Sequence, residues 1–336
     1  MATMRDVADR AGVSVATVSF VVNDTKPVQP TTRARIEQAM VDLGYRPNLL
    51  ARALARRRTR VVALVYPALD HRLTGSGIDF INAAAQAAVD LHHHLIVWPG
   101  SHDPDQILDL GRQGMVDGIV LMEIQMRDRR VEALRGAGLP FAIIGRTHRH
   151  ADLSYVDIDF MTSIRLGYEH LNGLGHEHIV FVNGSQRNPQ YRQYGPFVRS
   201  GRAFVRQSAR HGREPVVVEC EPTMAAAAEI TDRVLAEHPR TTALLIMNEV
   251  VGMGVSRRLQ EVGRSIPADV SLVTMSGADM ASYTVPGMTY LRSPGPQLGR
   301  MVVELLVSTI EGHPLPSGQL VPCELVLGGS TGPVRR

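Results

Sequence analysis

The chain has 336 residues, of which 44% are hydrophobic and 21% are charged. This length favours two or three structural units, and this composition is ordinary for a globular protein, which disfavours disordered and fibrous classes. The apolar runs at 61–65 and 95–98 are too short to cross a bilayer. Cys220 and Cys323 imply no disulfide framework, and Asp6 lies where a signal peptide would be apolar. We therefore expect a cytoplasmic protein with no membrane partner.

Charge is unevenly distributed along the chain. Residues 1–60 carry eleven Arg or Lys and five Asp or Glu, a net charge of +6, whereas the whole chain carries +3. The remainder is therefore mildly acidic. A small basic segment on such a body indicates a polyanionic partner for that segment, although a solvated basic surface would have the same composition.

The first element predicted along the chain is a helix that Thr3 begins, with an acid three residues later, and Gly12 ends. Ser14 caps a second helix at 15–22 after a three-residue turn. A third helix at 30–43 follows a short loop. Two short helices with a tight turn between them and a third that covers them form a helix-turn-helix unit.

The outer face of the second helix carries small, uncharged side chains. Its members are Val15, Ala16, Thr17, Ser19 and Phe20. Such a face fits a DNA groove about 12 Å wide, while surrounding basic residues anchor phosphates. The alternative is a helical bundle used for docking, but a helix this short is useful only if its outer face touches a partner.

Two segments resemble the lac-repressor (LacI) family of bacterial regulators. One is the run DVADRAGVSVATVS at 6–19, and the other is LGYRPNLLARAL at 43–54. Both match the family at its own spacing and at all but a few positions. The resemblance implies a DNA-binding head, a hinge and an effector-binding core.

The resemblance also implies individual roles in DNA binding. Val15 and Ala16 match residues that read base edges, and Leu54 matches a wedge that enters the minor groove and kinks the DNA. Asn48 begins a hinge that becomes helical on the operator, while Arg52, Arg56, Arg57, Arg58 and Arg60 would follow phosphates. The full set of expected DNA contacts is Thr3, Ser14, Val15, Ala16, Thr17, Ser19, Phe20, Asn23, Tyr45, Asn48, Ala51, Arg52, Leu54 and Arg57.

The head departs from the family at two positions. Phe20 stands where the family usually has an arginine, which suits a bidentate contact with guanine. Phenylalanine cannot make that contact, but it could pack on a thymine methyl or cover the core. Gln29 replaces the usual serine before the third helix, so we expect a weaker cap there.

From residue 61 onward, short apolar runs alternate with amphipathic stretches, which is typical of parallel α/β structure. The predicted strands are 61–66, 95–98, 117–122, 141–144, 154–158, 179–182, 216–219, 243–247 and 271–274. The predicted helices are 77–91, 104–113, 128–136, 160–174, 201–211, 224–238, 250–262 and 297–311. Repeated units of this kind are consistent with two doubly wound lobes.

This region also resembles the family, whose core is shaped like a periplasmic sugar-binding protein. The matching segments are 173–176, 266–271 and 299–306. The expected fold class is α/β, with an N-terminal helix-turn-helix head and a two-lobed core of doubly wound parallel sheets. The expected domains are a DNA-binding head at 1–46, a hinge at 47–60 and an effector-binding, dimerising core at 61–336. The resemblance implies three crossovers between the lobes, with the ligand between them.

Effector residues are carried over from the resemblance position by position. Asn248 matches a polar residue that reaches the ligand, and either Arg199 or Arg192 could supply a clamping arginine. Glu249 replaces an aspartate, and Phe160 stands where asparagine is common. The positions expected to line the effector site are Asp70, His71, Arg146, Arg192, Arg199, Asn248, Ser276 and Ser293.

Several polar contacts to a sugar ring are missing together, because residues 274–277 replace an acidic turn and Ser293 replaces a glutamine. Either the effector is a metabolite other than the usual sugar, or the pocket is rebuilt with partners such as Asp70, His71, Arg146 and Asp279. A third possibility is that no small molecule binds. We favour a changed effector.

The leading hypothesis is a homodimeric regulator, most simply a repressor, that binds near-palindromic operator DNA. The alternatives are a cytoplasmic small-molecule-binding protein with no regulatory DNA role and an enzyme on the same scaffold. No catalytic constellation, metal-ligand pattern or cofactor motif is recognisable, so none is expected. The run 92–94 of three histidines is interpreted as a solvated helix end. Asp157 and Asp159 share one face of a strand end and are interpreted as cleft or capping residues.

Overall fold

The computed structural model describes residues 2–23, 26–45, 58–67, 75–100, 103–187, 189–277, 284–313 and 318–335. These residues fall into two compact units. One contains the chain up to Val61 together with Leu110–Asp117, and the other contains Val62–Asp109 and everything from Gly118 onward. No helix within the described ranges is long and apolar enough to span a membrane.

The first 45 residues fold into α1 (Met4–Ala11), α2 (Val15–Asn23) and α3 (Pro30–Asp42). The predicted capping box is confirmed, because the Thr3 side chain accepts from the Asp6 amide while the Asp6 carboxylate accepts from the Thr3 amide. Gly12 ends α1 in the left-handed region, at φ 64°. Gln29 makes no side-chain cap to α3, as expected.

A small apolar core holds these three helices together. Its buried members are Val7, Ala8, Ala11, Val18, Val21, Ile36 and Ala39. They recur at intervals of three or four residues, so each helix turns one face inward. Met40 and Leu43 are only partly buried at the edge of this core. The opposite face of α2 is not part of this core.

The first lobe of the core begins at residue 61. Its strands and helices up to the first crossover are β1 (Val61–Val65), α4 (Gly75–Asp90), β2 (His94–Trp98), α5 (Pro104–Arg112), β3 (Gly118–Leu121), α6 (Arg129–Ala137), β4 (Phe141–Ile144) and β5 (Tyr155–Ile158). The next segment forms the second lobe. Its elements are α7 (Phe160–Gly173), β6 (Ile179–Gly184), α8 (Gly195–Arg210), β7 (Val216–Cys220), α9 (Met224–Glu237), β8 (Ala243–Ile246), α10 (Glu249–Glu261), β9 (Ser271–Ser276) and β10 (Thr289–Arg292).

The chain then returns to the first lobe through α11 (Gly295–Glu311) and β11 (Gln319–Val321), and it ends in the second lobe with β12 (Glu324–Val326). The described chain therefore crosses between the sheets after β5, after β10 and after β11, which confirms the three expected crossovers. The sheet orders are β11-β5-β4-β3-β1-β2 and β12-β10-β9-β8-β6-β7. Each order reverses beside its first strand, and ligands of such sheets bind near the carboxyl ends of the strands.

The structure corrects the predicted elements in three places. The sheets are not wholly parallel, because β10 and β12 pair antiparallel. Strands β10, β11 and β12 were missed, since each has only three or four residues and too little alternation to identify. Helix α8 begins at Gly195 and not at 201; Gly195 and Pro196 resemble helix breakers, but proline is well tolerated in a first helical turn.

The histidine run at 92–94 is also only partly as expected. Helix α4 ends at Asp90, and His92 and His94 are exposed. His93 is buried, with its Nδ1 2.8 Å from the Leu91 carbonyl oxygen. The interpretation as a fully solvated helix end is therefore wrong for His93, because the turn after α4 folds its side chain inward.

Helices α4 and α11 pack closely in the first lobe. A Cβ at Gly299 would lie 2.5 Å from the carbonyl oxygen of Phe80, so only glycine allows this approach. The surrounding core contains Leu298, Val302 and Leu306 from α11. This packing fixes the position of α4, whose first residue, Gly75, reaches the cleft between the lobes.

Candidate functional site

The outer face of α2 is the candidate DNA-reading surface. Val15 is 43% exposed and Ala16 is also exposed, while Thr17, Ser19 and Phe20 are half-buried at its sides. Val18 and Val21 point the other way, into the core. The exposed strip is short and without charge, and such a strip can approach base edges closely.

Ser14 holds the start of this helix in place. Its hydroxyl oxygen accepts a hydrogen bond from the Thr17 amide at 3.1 Å and lies 2.8 Å from the Thr17 hydroxyl oxygen. This is a side-chain N-cap, which satisfies an amide that the helix leaves unpaired. Ser14 and Thr17 therefore fix the orientation of the residues that follow them on α2.

Phe20 lies outside the apolar core of the head. The Lys26 ammonium is 5.0 Å from the centroid of the Phe20 ring, a cation–π distance. Phe20 therefore does not cover the core of the head, and packing on a thymine methyl is the role that we still expect for it. Lys26, which sequence reasoning missed, places a positive charge beside α2.

Tyr45 packs against the edge of the head core, and burial raises the pKa of its phenol. The remaining expected DNA contacts, Asn48, Ala51, Arg52, Leu54 and Arg57, lie outside the described residues, as does the Asn23 side chain.

Asp117 holds the segment that leads into β1. Its carboxylate accepts from the amides of Thr59 and Arg60 at 2.7 and 2.8 Å. Asp117, a further residue that sequence reasoning missed, fixes the start of β1.

The second candidate site is the cleft between the two lobes, and three charged residues meet there. Arg146 follows β4, Asp157 lies in β5, and Arg199 lies in α8 of the second lobe. Asp157 Oδ2 is 3.0 Å from Arg199 Nη2 and 3.5 Å from Arg146 Nε. Arg199 Nη1 also donates to the Arg146 carbonyl at 3.0 Å. We call these three residues the charged cluster.

Burial governs the protonation of the charged cluster. It raises the pKa of Asp157 to about 6, although the charges of Arg199 and Arg146 act in the opposite direction. Burial also lowers the pKa of the Arg199 guanidinium. The guanidinium carbon of Arg199 lies 5.5 Å from the centroid of the Phe160 ring. One carboxylate is thus shared by two cations, and one of these cations also contacts an aromatic ring.

A short backbone pairing joins the lobes beside this cluster. The Met126 amide donates to the Gln193 carbonyl at 2.8 Å, and the Gly195 amide donates to the Ile124 carbonyl at 3.0 Å. Arg130, which is fully buried and paired with Asp128, supports the loop before it by donating to the carbonyls of Met122 and Glu123. The loop that reaches across the cleft is therefore held by a buried ion pair.

Glu249 forms a further link across the cleft. Its side chain is buried, with one oxygen accepting from the Gly75 amide of the first lobe at 2.7 Å. The other oxygen accepts from the Gly277 amide at 3.0 Å and from the Ser276 hydroxyl at 3.1 Å. Both amides would be costly to bury unpaired. The substitution of a family aspartate by Glu249 therefore supplies the length needed to reach the other lobe.

The other expected effector residues differ in their contacts and exposure. The side-chain oxygen Oδ1 of Asn248 caps α10 by accepting from the Val250 and Val251 amides, so the side-chain NH₂ group is not used in that cap. Ser293 is buried with no hydrogen bond to its hydroxyl, and its amide donates to the Ser276 carbonyl at 3.1 Å. Arg192 is exposed, so Arg199 is the better candidate for the clamping arginine. Asp70, His71 and Asp279 lie outside the described residues.

Asp157 and Asp159 were expected to be cleft or capping residues, and each has one of these two roles. Asp159 caps α7, accepting from the Thr162 amide at 3.0 Å, while Asp157 belongs to the charged cluster. Alternation along β5 was the signal that placed both on one face. The partners of Asp157 could not be inferred, because Arg199 is 42 residues away in another lobe.

Two family models match the chain. Bacterial regulatory proteins of the lacI family match residues 3–48, and a periplasmic binding protein-like domain matches residues 168–331. The chain therefore combines a LacI-family helix-turn-helix domain with a periplasmic binding protein-like domain. The family's members are DNA-binding transcriptional regulators, and the helix-turn-helix head and two-lobed core described above are both present here.

Similar proteins cover almost the whole chain. Catabolite control protein A of Priestia megaterium is 26% identical over 90% of this chain and 91% of its own length. HTH-type transcriptional regulator reg1 of Streptomyces lividans is 29% identical, with coverage of 98% and 96%. Both are regulators by name, and neither name refers to an enzyme.

Solved structures agree on the fold of this chain. The lac repressor dimer bound to operator and the anti-inducer ONPF has a TM-score of 0.85 at 24% identity, covering 98% of this chain and 99% of that one. A complex of the transcriptional regulator CelR with cellobiose has a TM-score of 0.74 at 25% identity, with coverage of 98% and 100%.

Proposed function

We propose that this LacI-family protein is a homodimeric repressor that binds a near-palindromic operator and changes its operator affinity when a small molecule occupies the cleft. The observation that carries the proposal is the exposed, uncharged face of α2 on a head whose other face is buried. Charge concentrated in residues 1–60 supplies the attraction to phosphates that such a reading helix needs.

A dimer is proposed because one head cannot supply enough specificity. The exposed strip of α2 spans about two helical turns, which limits it to a few base pairs. Two heads related by a two-fold axis read two half-sites. The lac repressor dimer on its operator is the assembled form of a protein with this fold.

The cleft supports the regulatory part of the proposal. Glu249 and the pairing of Met126 with Gln193 are interlobe contacts that must break if the lobes part. A ligand that favours one separation of the lobes therefore shifts a two-state equilibrium, and hinge closure of this kind is a common allosteric device. CelR, which is similar over the whole chain, was solved with cellobiose.

The proposed working parts follow the expected division of the chain: a DNA-binding head at 1–46, a hinge at 47–60 and a core at 61–336. DNA contacts are assigned to α2 and the hinge, and effector contacts to Arg146, Arg199, Asn248, Ser276 and Ser293. The protein would act in the cytoplasm, where its operator is, and no catalytic step is part of the proposal.

Selection from a random duplex library at near-physiological salt tests the proposal. The full chain should enrich one near-palindrome, and Leu54→Ala should weaken binding to it, because Leu54 matches the minor-groove wedge. Val41→Ala is the matched control, since Val41 is a 75% exposed apolar residue on α3 of the same head. Enrichment of no motif, or equal effects of the two variants, would contradict the proposal.

A further inference from the structure

The charged cluster carries more positive than negative charge. Arg146 and Arg199 both approach one oxygen of Asp157. Two further acids of the cleft are engaged elsewhere. Asp159 is committed to the N-terminus of α7, and both oxygens of Glu249 accept hydrogen bonds in the interlobe link. Among the described residues, two guanidinium groups therefore share a single carboxylate.

The two arginines are also incompletely hydrogen-bonded. Arg199 Nε is buried with no hydrogen-bond partner, and the contact between Arg199 Nη2 and Asp157 Oδ2 at 3.0 Å is an ion pair without hydrogen-bond geometry. Arg199 as a whole is only 9% exposed. Arg146 approaches Asp157 through Nε at 3.5 Å, which is too long for a strong hydrogen bond. Buried donors without acceptors are costly, so this arrangement is better suited to a state in which an acceptor is present.

The position of the cluster makes it part of a ligand site. Arg146 and Asp157 lie at the carboxyl ends of adjacent parallel strands, where ligands of open α/β sheets bind. The Arg146 side chain is 23% exposed, which leaves an approach to the cluster. Phe160 is itself only 2% exposed, and it supports the Arg199 guanidinium through a cation–π contact.

We propose that the effector is an anionic small molecule, a sugar acid or a sugar phosphate, whose charged group is bound by Arg146 and Arg199. This inference rests on the proposed function, because it assigns a chemical class to the effector of that cleft. The anionic oxygens accept from Arg199 Nε and from the nitrogens that now face Asp157, and they take the place of Asp157, which acts as an internal competitor. Charge-assisted pairs with planar guanidinium groups suit carboxylate and phosphate alike.

Calorimetric titration of the full chain with three trios of probes tests the inference. Each trio holds a neutral sugar, its aldonic acid and its terminal phosphate ester, with glucose, galactose and ribose as the parents. In at least one trio an anionic member should bind about tenfold or more tightly than its neutral parent. Comparison of the acid with the ester shows which anionic group the arginines prefer.

Two variants of the cluster and one control make the test specific. Arg146→Gln should abolish the preference for the anionic member, because it removes one cation from a site that stays approachable. Asp157→Asn should increase the affinity for the same probe, because it removes the internal competitor. Arg202→Gln, an exposed arginine of the same helix α8, should leave binding unchanged. Thermal unfolding of each variant checks that it folds.

Equal or tighter binding of the neutral sugars would overturn the inference, as would the absence of binding by every anionic probe. A preference for the anion that survives Arg146→Gln would also overturn it. None of these results touches the selection of an operator by the head, so failure of the inference is separable from failure of the proposed function.

Discussion

Glu249, the first residue of α10, accepts a hydrogen bond across the cleft from the amide of Gly75, the first residue of α4, at 2.7 Å. A carboxylate at a helix N-terminus is favoured by the unpaired amides and the dipole of that helix. The same carboxylate binds the Gly277 amide of its own lobe. The link therefore joins the two lobes through one buried side chain.

Replacement of Glu249 by glutamine should loosen the closed arrangement of the lobes. The amide nitrogen of glutamine cannot accept from Gly75 or Gly277, so one of these buried donors loses its partner, at a cost of about 1–3 kcal/mol. Urea unfolding should show that loss, and small-angle scattering should show a larger radius of gyration. Glu261→Gln, on the exposed end of the same helix, is the control and should change stability by less than about 1 kcal/mol. Equal behaviour of the two variants would refute this role for Glu249.

Ser14→Ala should weaken operator binding through the helix that Ser14 caps. Loss of an N-cap costs about 1 kcal/mol of local stability, and amide exchange in α2 should accelerate accordingly. Thr223→Ala removes the comparable cap of α9 in the core, where the Thr223 hydroxyl accepts from the Ala226 amide. Thr223→Ala should change neither the rate of amide exchange in α2 nor the operator affinity. A loss of operator affinity in Thr223→Ala as large as in Ser14→Ala would contradict the assignment.

Phe20→Arg should change which operator is selected. Arginine can make two hydrogen bonds to guanine, a contact worth about 1–3 kcal/mol of discrimination that phenylalanine cannot offer. Library selection should therefore enrich a guanine at one position of each half-site that the wild-type protein does not require. An unchanged selected sequence would mean that position 20 does not face the bases.

Lys26→Met should weaken binding to all sequences alike. Its ammonium lies beside Phe20, on the edge of α2, where it would contact a phosphate and carry no base preference. The slope of log affinity against log salt should fall by about one per head. A change in the selected sequence, with the slope unaltered, would assign Lys26 to base reading instead.

Asp157 should make the protein less stable as pH rises from about 4 to about 6. Burial raises the pKa of Asp157 from the usual 3.8 to about 6 in the folded protein. In this window the unfolded chain releases the proton and the folded chain keeps it, so the free energy of unfolding falls, by about 2 kcal/mol in total. The measurement is urea unfolding at a series of pH values for the wild type and Asp157→Asn.

The difference between these two proteins isolates Asp157 from other titrating groups. His170 and His176 have pKa values lowered by burial, so their contribution has the opposite sign, and it is common to both proteins. A difference in stability that is constant from pH 4 to pH 8 would contradict the raised pKa of Asp157.

Local signals in the sequence predicted much of the head. Thr3, Gly12 and Ser14 act through neighbours within four residues, so their capping roles follow from spacing alone. The alternation of strands and helices likewise predicted the two α/β lobes. The short strands β10, β11 and β12 were missed because partners that are distant in sequence, and not local pattern, stabilise them.

The cleft was predictable only in part. Arg199 was one of two candidate clamps, and its burial beside Asp157 depends on how the second lobe meets the first. Glu249 was recognised as a departure from the family, but its bond to Gly75 joins residues 174 positions apart. Long-range pairings of this kind leave no periodic signal in one sequence.

The central claim is that the head and the cleft of one chain act together on DNA. Footprinting of the selected duplex at about 150 mM salt, with and without the small-molecule fraction of a cell extract, tests it most directly. We expect a symmetric footprint over two half-sites, with the protein concentration for half protection changed at least about fivefold by the extract, as allosteric coupling usually is. A footprint that the extract leaves unchanged, or no discrete footprint, would contradict the claim.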